Sequence, residues 1–114
     1  MKSFNVIDKI YGFKYIVVYD CSEKEACNKF KKTHPHSKID FDNSVGVFHH
    51  LTDCDCRLLY FREKNDYGVI AHECFHASIV GLAECGVDFY QGESNESFAY
   101  YMEWLVNEVI KGMK

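Results

Sequence analysis

The segment from Tyr67 to Cys85 constrains the chain most, because it is long, predominantly apolar and free of proline, yet carries His72, Glu73 and His76 in its middle. Asn65-Asp66 offers a side-chain oxygen to the first free N–H groups of a helix, and Gly86 suits the left-handed position that closes one. The pattern predicts one long helix from Tyr67 to about Cys85. A second helix is predicted from about Ser94-Asn95-Glu96 towards the C-terminus, with Phe98, Tyr101, Met102, Leu105, Val109 and Ile110 at helical spacing.

Upstream, Lys14-Tyr15-Ile16-Val17-Val18-Tyr19 is β-branched and aromatic and stops at Asp20-Cys21-Ser22, where Ser22 and Glu25 have capping-box spacing. A strand therefore hands over to a helix. That helix is expected from about Glu23 to Thr33, with Ala26, Cys27 and Phe30 as its buried stripe and an end before His34-Pro35. Val45 to Leu51 and Cys56 to Arg62 read as a hairpin joined by Thr52-Asp53-Cys54-Asp55. The expected order is β-α-β-β-α-α. The class is α+β: a small mixed or antiparallel sheet with one packing helix, then a helix with two histidines and a helix with a first-turn glutamate.

With 114 residues, 47% hydrophobic, one proline and seven scattered glycines, the chain shows no linker or repeat, so residues 1–114 are expected to form one domain. The formal net charge of −4, with no basic run longer than Lys31-Lys32, leaves no field for a phosphate backbone, so nucleic acid is not expected as a partner. Neither a signal-peptide pattern nor a membrane-spanning apolar run is visible, and a cytoplasmic location without a membrane partner is the expectation. Six cysteines in a reducing compartment are expected as free thiols or metal ligands. Cys74 and Cys85, roughly 16 Å apart along one helix, are beyond disulfide reach and are expected as small buried hydrophobes.

The chemistry lies in His72-Glu73-Cys74-Phe75-His76, an H-E-x-x-H sequence. On a helix, His72 and His76 differ by about 40° around the axis and about 6 Å along it, so both imidazoles can reach one cation, with Glu73 on the flank. A metal on two neutral imidazoles lowers the pKa of bound water, and an adjacent carboxylate can take its proton and pass it to a leaving amine. Glu96 follows in the first turn of the next helix. Antiparallel packing of the two helices would bring this carboxylate towards the histidines, giving zinc three ligands and an open fourth position.

H-E-x-x-H followed by Asn95-Glu96-Ser97-Phe98-Ala99 resembles the gluzincin clan of zinc peptidases, over roughly Ile70 to Leu105. The short chain, with Ala71 to Ala77 and then Glu96 to Tyr100, also resembles small metallopeptidase-like proteins encoded by phages and prophages. The resemblance implies one zinc ion on His72, His76 and Glu96, Glu73 as general base, Ala99 as a small residue for close helix packing, and a peptide or protein substrate. Thermolysin-like enzymes carry an aspartate where Tyr100 stands here. Tyr100 is thus a candidate catalytic donor to an oxyanion, with His49, His50 and Tyr101 as alternatives. In the zincin architecture an edge strand before the zinc helix binds extended substrate, and Cys56 to Arg62 is the matching segment.

Other readings stand beside these. Glu93 is the fallback third ligand, and Cys54-Asp55-Cys56 with His49-His50 is a rival metal cluster, though C-x-C without a second paired motif is a weak signal. The aromatic run Phe89-Tyr90 and Phe98 to Trp104 reads as core and helix packing before it reads as a substrate platform. A function from a different class is a non-catalytic zinc-binding module used for partner binding, including phage–host interaction. Fold resemblance does not separate that from hydrolysis.

Overall fold

The computed structural model, which describes residues 1–35, 41, 44–51, 56–88 and 95–114, runs β1 (Lys2–Ile7), β2 (Lys14–Tyr19), α1 (Glu23–Thr33), β3 (Gly46–Leu51), β4 (Cys56–Phe61), α2 (Tyr67–Glu84) and α3 (Asn95–Met113). The sheet is mixed, in the order β1-β2-β4-β3: β2 and β4 are parallel, and the outer pairs are antiparallel. The class is α+β. Two expectations are corrected. An extra strand, β1, precedes the predicted first one, and the segment from Cys56, expected at the sheet edge, is interior; the edges are β1 and β3.

Both sheet faces are covered, which is why β2 and β4 read as continuous apolar runs. Tyr15, Val17, Tyr19, Leu59 and Phe61 pack with Ile70, Cys74 and Ala77 of α2 and with Phe98, Leu105 and Val109 of α3. On the opposite face, Val18, Leu58 and Tyr60 meet Ala26 and Phe30 of α1 together with Phe41 and Leu51. Cys27 is only partly buried. The β1–β2 connection is built on Asp8, whose Oδ1 accepts from the N–H groups of Ile10 and Tyr11 while Gly12 takes a positive φ of 81°.

The position of α2 follows from its two ends and one buried cation. Asp66 Oδ1 accepts from the Val69 N–H at 3.3 Å, and at the far end Val87 N–H donates to Leu82 O and Gly86 N–H to Ala83 O, with Gly86 at φ 82°. That is a Schellman closure. Near the same end Arg57 of β4, wholly buried, lies 3.8 Å from the Phe13 ring centroid and pairs with Glu84. Gly81 leaves room for Phe13, since a Cβ there would stand 3.0 Å from its ring. Cys85, expected to be buried, is the exposed C-cap.

Burial sets a pH limit on this core. It pushes the Tyr15 hydroxyl up to about 12 and the Cys74 thiol up to about 12, and raises Tyr101 as well. Each group is neutral in its favoured folded form, so its contribution is fully present below the unfolded pKa, about 8.5 for Cys and 10 for Tyr, and is lost as pH rises towards the folded value. Urea midpoints are expected to hold near neutrality and fall between about pH 9 and 12, with Tyr15→Phe flattening the upper part of the fall. A midpoint unchanged at pH 11 would contradict this.

Candidate functional site

Helix α2 buries Ile70, Cys74, Ala77 and Ser78 on one side, which turns His72 and His76 outward. Their Nε2 atoms stand 3.1 Å apart, with ring centroids at 4.8 Å and planes at 77°. Two imidazole nitrogens at ordinary zinc bond lengths in a tetrahedral site would be about 3.3 Å apart. Their separation therefore matches that of two ligand positions in such a site. Glu73 is the shielded member, with its side chain 12% exposed and Oε1 3.9 Å from His72 Nε2.

Beside the pair lies a cleft of about 380 Å³, walled by residues 44–46 entering edge strand β3 and by Gly68, Val69, His72 and Glu73 of α2. Gly46 makes this close approach feasible. A Cβ at Gly46 would collide with Val69 Cγ1 and lie 3.3 Å from Glu73 Cγ, so the strand backbone is a wall of the carboxylate's pocket. Sequence reading passed over Gly46, although a glycine beginning a strand is a signal for close backbone approach. Cys74, between the two histidines, points into the core with a raised pKa and is no nucleophile.

Glu96 lies in the first turn of α3 and is exposed. Among the described residues, no group of three His, Cys, Asp or Glu is arranged to hold a metal, so the structure brings together His72, Glu73 and His76 but does not add Glu96 to them. Tyr100 is 67% exposed and lines a different groove, between α3 and the β1–β2 connection. Its alternatives are also placed elsewhere. Tyr101 is tied to Tyr15 and Asp8, and His50 Nδ1 lies 3.8 Å from Glu84, about 12 Å along α2 from His76. His49 alternates with Phe48 and His50, which puts it on the α1 face of the sheet. Glu93 and Cys54 lie outside the described residues, as does the rival metal cluster that needs Cys54.

Compared with family models, with curated proteins and with solved structures, the chain matches none. No helix among the described residues is long and apolar enough to cross a membrane.

Proposed function

We propose that this chain is a minimal zincin-like metallopeptidase that hydrolyses peptide bonds, with His72 and His76 holding one zinc ion, Glu96 as the third ligand that the gluzincin resemblance implies, and Glu73 as general base. One observation carries the reading: two outward imidazole nitrogens 3.1 Å apart, with the shielded Glu73 carboxylate 3.9 Å from that of His72 and both of these residues lining a cleft. A bound zinc ion would supply Lewis acidity and an acidified water. Glu73 takes the water's proton and returns it to the departing amine; its low exposure, against Val69 and the Gly46 backbone, limits its rotamers and keeps competing water away. Edge strand β3, which has no outer neighbour among the described strands, would take up an extended peptide by backbone pairing, the role expected earlier of β4.

The arrangement of Glu96 favours a second reading, in which the histidine pair binds metal for partner recognition without turnover. Zinc stoichiometry by elemental mass spectrometry separates the steps. About one zinc per chain is expected, lost in folded His72→Ala and His76→Ala and weakened in Glu96→Ala. Zinc retained by both histidine variants would sink the site. Loss in those two with full retention in Glu96→Ala would remove Glu96 from the ligand set.

A further inference from the structure

The two edges of the sheet differ in what lies beside them. β3 flanks the histidine cleft, whereas β1 borders a groove of about 750 Å³ between α3 and the β1–β2 connection. Of the eight large apolar side chains that stay exposed among the described residues, four line this groove: Ile7, Ile10, Tyr11 and Tyr100. Exposed apolar side chains gathered at one sheet edge mark an interface, where scattered ones would not. Edge strands are commonly blunted by a proline, a bulge or a charge in mid-strand. β1 has none of these: it pairs with β2 residue for residue from Lys2 to Ile7, and its one charge, Lys2, stands at its end.

The hydrogen-bond phase of β1 fixes what its edge can accept. Asp8 N–H donates to Phe13 O, and these two residues continue the β1–β2 register, so they form a hydrogen-bonded pair. In an antiparallel ladder such pairs alternate with pairs that exchange no bond. The backbone groups of Lys2, Phe4 and Val6 therefore face β2, and those of Ser3, Asn5 and Ile7 point outward. These three residues are spaced evenly about Asn5. An antiparallel copy of the same strand pairs all three at once, Asn5 with Asn5 on a two-fold axis and Ser3 with Ile7 on either side. A shift by two residues in either direction leaves one of the three without a partner in the strand. The same register sets the side chains of Phe4 and Val6, both turned to the core, opposite Val6 and Phe4 of the second copy. It also sets Lys2, whose side chain is 61% exposed, opposite Asp8 at the groove, so opposite charges meet at each end of the junction.

We propose that this edge is the interface of a two-fold dimer, in which a second copy of this chain adds its β1 antiparallel to β1 and the two sheets become one of eight strands. The added strand lies along the groove and covers its exposed apolar side chains. The strand order becomes β3-β4-β2-β1-β1-β2-β4-β3, which leaves the two histidine clefts at the far edges. The dimer is independent of the histidine site and of whether the chain is a hydrolase.

The test is sedimentation equilibrium of the full chain with a chelator present, so that no metal bridges the exposed histidines of two copies. Between about 1 and about 100 μM the mass is expected to rise from 13.3 kDa towards twice that value. Asn5→Pro deletes an outward N–H that β2 does not use, and Asn5→Lys sets like charges face to face on the axis at an exposed position. Each is expected to raise the dissociation constant about tenfold or more with an unchanged circular dichroism spectrum, and mixing Asn5→Lys with Asn5→Glu is expected to restore the dimer. A single-chain mass at about 100 μM would leave the edge to a different partner and overturn the proposal. So would a dimer that forms only without the chelator, which would place the contact at the histidines, or one undiminished in both folded variants.

Discussion

Glu73→Gln is expected to keep zinc, fold and Tm while reducing turnover of a quenched-fluorescent peptide mixture by about 10² to 10⁴. The substitution preserves side-chain volume beside Gly46 and removes the negative charge and with it the ability to accept a proton. A metal-only role would leave the rate low in both proteins and equal. Turnover that persists undiminished in folded, zinc-loaded Glu73→Gln would remove Glu73 as the general base, whereas loss of zinc alongside turnover would make Glu73 a ligand instead of a base.

The second large effect concerns Arg57 and Glu84. Arg57 is buried under Phe13 with its guanidinium paired to Glu84, which is itself 40% exposed. Removing the carboxylate takes one charge partner from a buried guanidinium, and breaking a buried pair from one side costs about 3–5 kcal/mol; the solvent access of Glu84 places the expected loss near the lower end. Glu84→Ala should therefore lower Tm by about 10 °C or more in a chain of this size. Arg57→Met combined with Glu84→Ala is expected to recover most of that loss, because an apolar side chain of similar length can pack on Phe13 without a charge to compensate. Equal destabilisation by the single and the double variant would show that the loss comes from the missing pair itself and not from an uncompensated guanidinium.

Elements whose signals are local were readable from the residues. Ser22, whose Oγ accepts from Glu25 N–H, Asp66 and Gly86 mark helix ends through single side-chain or backbone contacts. The convergence of His72 and His76 depends only on helical pitch, so it too was legible. Strand β1 was not: only Phe4 and Val6 turn to the core along it, and the exposed apolar Ile7 blurs that short alternation in the sequence. The interior position of β4 depends on the parallel pairing with β2, which joins segments far apart in sequence. The same limit applies to Glu96 and Tyr100, whose helix is recognisable by its period but whose orientation is set by tertiary packing. Asp8 carried a turn signal with Gly12, yet nothing local announced that its carboxylate would meet Tyr101 from α3.

Strand β1 has a consequence for motion. Along its length Val6 is the only fully buried side chain, and its outer edge has no neighbour among the described strands, whereas β2 and β4 are paired on both sides. Local opening should therefore begin at β1, with its amide protons exchanging long before those at the sheet centre. The groove that Tyr100 lines, between α3 and the β1–β2 connection, stands partly on this most easily released strand. Its walls are thus coupled to a low-energy fraying equilibrium, and any occupant that bridges them to α3 spends part of its binding free energy on suppressing that fraying.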